Sequence, residues 1–244
     1  MGRNNPIFFY TINLRTSRTG GIYEYLFRAF RRWKANNRRY PPCWDLLIQG
    51  STGAGKTVFI DSIIKYLIKN YGSEELKFCI FSDYCSFLPE DIPAGYYYKT
   101  KKPIAENEVE AGMILSEILL LISARLEAIG KARKSSGVEE KTPTILLIFD
   151  AIPSYESDAV KEAMAKILKN GWKAGVHIIL SVQNALYGFK KAAMLCQSKL
   201  CGGGSCDYNF KVLLGTKNLP PLKTYEFLLS INGSDEIIKC HAEK

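Results

Sequence analysis

No apolar run in this sequence is long enough to cross a bilayer. The most apolar stretch, residues 113–122, is broken by Ser116 and Glu117, whereas a spanning helix needs about 20 apolar residues. No apolar segment with a cleavage pattern follows Met1, which sets an expectation of cytoplasmic residence. A separate membrane subunit or a virion complex remains compatible as a partner. There is no disulfide framework either. The seven cysteines are an odd number scattered from Cys43 to Cys240, a pattern that reduced cytosolic thiols explain. Cys196, Cys201 and Cys206, with Cys240-His241 further on, lack the tight pairs that zinc sites favour. No repeat of about 20–50 residues is present, which excludes a solenoid. Acidic residues are the minority: 33 Lys and Arg against 24 Asp and Glu give a net charge of +9. That balance suits a polyanion such as nucleic acid, but also a membrane surface or simple solubility. With 47% hydrophobic and 23% charged residues over 244 positions, the chain has the composition and length of one large α/β domain with a small appendage.

One segment carries specific chemistry. Gly50-Ser51-Thr52-Gly53-Ala54-Gly55-Lys56-Thr57 fits G-x-x-x-x-G-K-[ST] in full. Small residues let the backbone wrap a phosphate with successive N–H groups pointing inward. Lys56 adds a point charge at the β- and γ-phosphates, and the Thr57 hydroxyl is a Mg²⁺ ligand. The helix that begins here contributes the positive end of its dipole. The flanks agree: residues 44–49 read as a short buried strand, and residues 58–71 carry apolar side chains at 59, 60, 63, 64, 67 and 68, a helical period ending at Gly72. The cofactors expected are therefore ATP and Mg²⁺.

A magnesium nucleotide site also needs a carboxylate at the end of a neighbouring strand. Residues 144–150 end a five-residue apolar run in Asp150, making Asp150 the second metal-site candidate beside Thr57. The alternative is a strand-end Asp that caps a turn. The following residue is Ala151, where many ATPases of this type place a Glu that polarises the attacking water. Ala cannot accept a proton, so nucleotide binding should survive while hydrolysis falls. Ala151 is either a Glu→Ala change that traps the nucleotide complex or a natural absence of that carboxylate.

Elsewhere, residues 77–82 read as a strand ending at Asp83, followed by a Pro- and Tyr-rich loop. Residues 109–134 read as a long helix, broken by Ser135-Ser136-Gly137. Ser157 is placed to cap a helix over residues 158–172, Val176–Val182 reads as a buried strand, and residues 209–214 and 236–240 as later strands. Alternating strands and helices imply a parallel sheet. Residues 1–42 form a basic segment apart from a domain over 43–244. In it, Ile22, Leu26, Phe30 and Trp33 mark the apolar stripe of an amphipathic helix among Arg28, Arg31, Arg32, Lys34, Arg38 and Arg39. It would touch DNA, a membrane surface or a neighbouring subunit, or else pack on the core with a solvated basic face.

Absences narrow the P-loop class. An ABC signature would lie upstream of the Asp150 strand, whereas Cys201-Gly202-Gly203-Gly204-Ser205 follows it. A GTPase would carry N-K-x-D, which Gly215-Thr216-Lys217-Asn218 does not fit. The order of elements instead resembles the FtsK/SpoIIIE–HerA superfamily of DNA-pumping ATPases. The resemblance rests on residues 44–57, on Phe81-Ser82-Asp83, on the helix with Arg125-Leu126-Glu127, and above all on residues 145–183 ending at Gln183. It covers roughly residues 44–215. Ala151 and Asn184-Ala185 depart from the family's Glu and Arg-Pro, and nothing resembles its winged-helix DNA reader.

The resemblance implies a RecA-like P-loop core: a mostly parallel sheet flanked by helices, behind a short basic N-terminal extension. It implies an ATPase that moves double-stranded DNA without reading sequence, assembled as a ring, expected to be a hexamer. Mobile-element transfer or genome packaging would be its setting, with a membrane, capsid or transfer-machinery partner. It also implies that Lys56 and Thr57 bind phosphate and Mg²⁺, Asp150 anchors Mg²⁺ and Gln183 senses the γ-phosphate. For Gln183 the plain alternative is a polar strand end. Arg125 would be an arginine finger donated to a neighbour, or an ion-pair residue on the surface. Lys190 and Lys191 would line a DNA pore or a solvated loop. Rival functions are a protein-secretion motor and a non-hydrolysing ATP-binding assembly or regulatory module.

Overall fold

The computed structural model describes residues 10–12, 45–82, 92–99, 108–134, 142–150, 157–216, 219, 221–231 and 237–242. Its strands are β1 (Tyr10–Ile12), β2 (Leu46–Gln49), β3 (Leu76–Ser82), β4 (Thr144–Asp150), β5 (Val176–Val182), β6 (Ser198–Gly202), β7 (Glu226–Ile231) and β8 (Ile237–His241). The helices are α1 (Lys56–Asn70), α2 (Glu108–Lys134), α3 (Asp158–Asn170), α4 (Lys190–Leu195) and α5 (Asp207–Leu214). The strands form one sheet in the order β1-β8-β7-β6-β2-β5-β4-β3. Every neighbouring pair is parallel except those made by β7, which is antiparallel to both β6 and β8.

Side-chain alternation along each strand divides the interior into two layers. Phe78 and Ile80 of β3, with Leu146 and Ile148 of β4, face Phe59, Ile60, Ile63 and Leu67 of α1. Cys79 and Phe81, with Ile145, Leu147 and Phe149, face Leu115, Ile118 and Ile122 of α2 and Met164 and Ile167 of α3. Phe81 and Phe149 stack with ring centroids 4.3 Å apart. The strands read as nearly continuous apolar runs because both faces of the sheet are covered.

Local signals start and stop the helices. The Ser157 hydroxyl accepts a hydrogen bond from the Val160 N–H, as an N-cap should. α3 ends at Asn170, and a 3₁₀ turn over Gly171–Ala174 leads into Gly175 at φ 70°. Residues 209–214, expected as a strand, belong instead to helix α5, which closes on Gly215 at φ 74°. Its buried residues Asn209, Phe210 and Leu213 sit at helical spacing, and a window of six apolar-rich residues cannot separate that period from a strand's. β6 and β7 were not anticipated. Tyr10–Ile12 pairs in parallel with residues 238–240 of β8, so part of the N-terminal segment joins the sheet. The amphipathic stripe from Ile22 to Trp33, Asp83 and Ser135-Ser136-Gly137 lie outside the described residues.

Candidate nucleotide site

β2, β4 and β5 run parallel, so their carboxyl ends reach the same end of the sheet. Gln49 pairs with Val182, and Asp150 pairs with Ser181 on one side and Ser82 on the other. Such strand ends are where open α/β sheets bind ligands. The chain leaves β2 at Gly50, whose N–H donates to Val182 O at 3.3 Å, and turns through residues 50–55 into α1. Gly53 (φ 77°) and Gly55 (φ 97°) occupy the left-handed region, which L side chains adopt at a cost. α1 begins directly from Gly55 with no side-chain cap, leaving its first amides for another acceptor.

Lys56 is buried, and its ammonium donates to Gly50 O at 2.9 Å and Ser51 O at 3.0 Å. Those bonds draw the loop around the charge. Burial pulls the Lys56 pKa down, and the nearby Asp150 carboxylate opposes the shift. The Thr57 hydroxyl donates to Asp150 Oδ2 at 2.8 Å. Asp150 is itself buried, and its Oδ1 has no hydrogen-bond partner among the described residues; neither has the neighbouring Ser181 Oγ. A buried carboxylate with a spare lone-pair oxygen, next to a hydroxyl already aimed at it, is a donor set that fits a hard divalent cation. Thr57 and Asp150 would hold Mg²⁺ here.

Gln183 follows β5 directly and is exposed beside Gly50. Arg125 lies elsewhere: its Nη1 donates to Ala174 O at 2.8 Å, at the amino end of β5, roughly 20 Å of strand from the phosphate loop. Half-buried there, it has its pKa lowered by desolvation. It is a tie between α2 and the turn before β5, not a neighbour of its own chain's phosphate site. Ala151 lies outside the described residues.

The back of the loop is built by residues that sequence reasoning passed over. Ser51 donates through both its N–H (2.9 Å) and its hydroxyl (3.1 Å) to Gly203 O, so the glycine run set aside as a misplaced signature is a wall of the phosphate loop. A Cβ on Gly204 would collide with Ser51 Oγ. Gln49 ties the same corner, accepting from the Ala185 N–H at 2.9 Å and donating to Ser205 Oγ at 3.4 Å. Tyr225, at φ 66°, donates its N–H to Ala54 O at 3.0 Å and lays its ring against Gly55. The three successive glycines were a visible signal; nothing near Tyr225 in sequence marked it.

No protein-family model matches the chain. A DNA translocase FtsK of Lactococcus lactis subsp. cremoris is 26% identical over 204 aligned positions, covering 75% of this chain and 24% of the relative. The chain is homologous to the FtsK DNA translocases. It spans about a quarter of the length of that relative. Among solved structures, the cytoplasmic domain of the type VII secretion ATPase EccC of Thermomonospora curvata superimposes with a TM-score of 0.63 at 18% identity, over 81% of this chain and 25% of that one. The pCW3 conjugation coupling protein TcpA, in its monomer form with ATPγS, superimposes with a TM-score of 0.61 at 15% identity, over 81% of this chain and 59% of that one. The fold is that of a RecA-like P-loop NTPase, as the resemblance implied. No helix among the described residues is long and apolar enough to cross a membrane.

Proposed function

We propose that this chain is the motor module of an ATP-driven pump for double-stranded DNA. The contact from Thr57 to Asp150 at 2.8 Å, beside the buried Lys56, carries the reading. It brings together three groups that a magnesium triphosphate requires, two of them adjacent in the loop and the third 93 positions further on. The FtsK homology supports DNA as the cargo.

In this reading the amides of Thr52, Gly53 and residues 55–57 and the Lys56 ammonium bind the triphosphate, while the Ser51 and Ala54 amides hold the loop through Gly203 O and Ser51 O. Lys56 exchanges two neutral carbonyl acceptors for anionic oxygens, a stronger charge-assisted bond. Thr57 and Asp150 hold Mg²⁺, which when bound offsets phosphate charge. Gln183, exposed at the end of β5, senses the γ-phosphate. Arg125 acts on a neighbouring subunit of a ring, expected to be a hexamer, once it leaves the Ala174 carbonyl. Ala151 offers no base for water, so turnover is weak in this chain. A capsid, a membrane or transfer machinery would be the pump's docking point.

The test is ATPase activity and DNA binding across a salt series, for the chain as it stands and for Ala151→Glu. DNA-stimulated turnover that appears with Glu supports the pump and the trapped-site account of Ala151. No gain in turnover removes the trapped-site account. ATP binding with no effect of DNA at any salt concentration overturns the DNA pump in favour of a protein motor or a non-hydrolysing module. Lys56→Ala should abolish nucleotide binding in every case.

A further inference from the structure

Six large apolar side chains are exposed among the described residues, and they fall into two groups. Val109 (73% exposed), Met113 (64%) and Leu120 (72%) lie on α2, within about 40° of one another around the helix at 100° per residue. Tyr187 (78%) and Met194 (49%) lie in and just before α4, and Tyr208 (63%) lies on α5. α3 packs between α2 and α4, and α5 packs in the same layer against β6, which lies beyond β2 and β5 from β4, so the two groups occupy opposite flanks of one helical layer.

Their charged surroundings lean in opposite directions: three exposed acids with Lys99 and Lys131 beside the first group, three exposed lysines with Asp207 beside the second. The α2 stripe runs past the exposed acids Glu110, Glu117 and Glu127. Glu117 is bridged to Lys99 at 2.6 Å and Glu127 to Lys131 at 2.6 Å, exposed pairs that exchange partners at little cost. The second group has exposed Lys190 and Lys191 one turn from Met194, and exposed Lys211 one turn from Tyr208. Exposed apolar clusters with charged rims mark association surfaces. Two different complementary patches on opposite flanks give a head-to-tail contact, which propagates and closes into a ring when the rotation allows.

We propose that the acid-rimmed α2 stripe of one copy docks on the lysine-rimmed Tyr187–Met194–Tyr208 surface of the next copy. This deepens the ring in the function proposed above by assigning its two faces. It gives Lys190 and Lys191 to the subunit contact in place of a DNA pore. It also puts α2, the helix that carries Arg125, beside the neighbour's segment that begins at Gln183.

Sedimentation velocity on the full chain tests this, with and without ATPγS and Mg²⁺, for the unaltered protein and two variants. Met113→Glu/Leu120→Glu spoils the first face, and Tyr187→Glu/Met194→Glu spoils the second. All four positions are exposed, and circular dichroism melting checks that each variant folds. The unaltered chain should sediment as an assembly that weakens with added salt. Each variant alone should be monomeric. An equimolar mixture of the two should give a one-to-one dimer and nothing larger, because one intact pair of faces remains. Variants that assemble like the unaltered chain overturn the proposal, as does either variant forming a dimer with itself. So does an unaltered chain that stays monomeric while calorimetry shows ATPγS bound, a result that leaves the nucleotide site standing. Assembly by the expected rule with no nucleotide bound would instead separate the faces from the ATP reading and remove the latter.

Discussion

Gly55 is held from two directions. Its φ of 97° is one that a side chain tolerates poorly, and an added Cβ would collide with the Tyr225 ring. Tyr225 is itself at φ 66°, an unusual place for a bulky residue. It stays there because its N–H is bonded to Ala54 O and its carbonyl accepts from the Ala242 N–H at 2.9 Å. Backbone strain at this loop points to a conformation fixed by the surrounding chain before any ligand arrives. Gly55→Ala should therefore lower unfolding stability by about 2 kcal/mol or more, the sum of a backbone term and a steric one. Tyr225→Ala removes only the steric term, so in urea titrations the double variant should be more stable than the two single losses predict. Additive losses would mean that the ring does not press on the loop. The phosphate loop itself was legible from sequence, because its chemistry needs residue types at fixed local spacing. Tyr225 was not, because what selects it is a backbone carbonyl 171 positions earlier in the chain.

Among the elements, β2, β5 and β6 are tied at their amino ends by a residue with an unusual charge state. Asp45 is buried, accepts the Ile178 N–H at 2.9 Å through Oδ1, and bonds Ser198 N through its backbone carbonyl at 3.1 Å. Burial pushes its carboxyl up to about 7, against the smaller effect of the Ile178 hydrogen bond. His177 Nδ1 lies 3.8 Å from the same oxygen, and burial takes that imidazole down to about 3. Cys196 is also nearby, its thiol pushed up by burial and by Asp45. Between about pH 4 and 7 the folded chain holds the Asp45 proton and the unfolded chain does not. Stability from this group is then full below about pH 4 and is lost as pH rises to about 7. His177 works in the opposite sense: the unfolded chain binds its proton between about pH 3 and 6.5 and the folded chain does not, so stability rises with pH over that window. The two slopes offset each other where they overlap. Asp45→Asn keeps an oxygen for Ile178 and removes one slope. Its melting temperature should therefore gain on the unaltered chain between pH 4 and 7, by the equivalent of a few kcal/mol. A difference that is flat with pH would rule out a protonated Asp45. What flanks an element also decides whether the sequence reveals it. β2, β4 and β5 were readable as nearly continuous apolar runs because helices cover both faces of the sheet. β6, with Lys199 and Gly202 in five residues, is a strand only because β2 and β7 flank it. α5 has too few residues for its period to show.

In the whole molecule, the phosphate loop is where most of the sheet converges. Residues 50–57 bond directly to the ends of β4, β5 and β6 and to the turn that opens β7. Through Ala242, that turn is fastened to the end of β8, which pairs with β1 near the other end of the chain. A ligand that binds this loop should therefore raise the stability of the whole described fold and not that of α1 alone. Linkage gives the size: a nucleotide at a hundred times its dissociation constant contributes about 2.7 kcal/mol. For a domain of this length that moves the melting temperature by roughly 5–10 °C. ATPγS with Mg²⁺ should produce such a shift in a single calorimetric transition. Chelating the metal should remove most of it, because the Asp150 carboxylate would then face the triphosphate with only Thr57 between them. Lys56→Ala should remove all of it. A shift that survives chelation would place the nucleotide somewhere other than the Thr57–Asp150 pair. A transition that splits in two on ligand addition would show that the loop does not hold the sheet together.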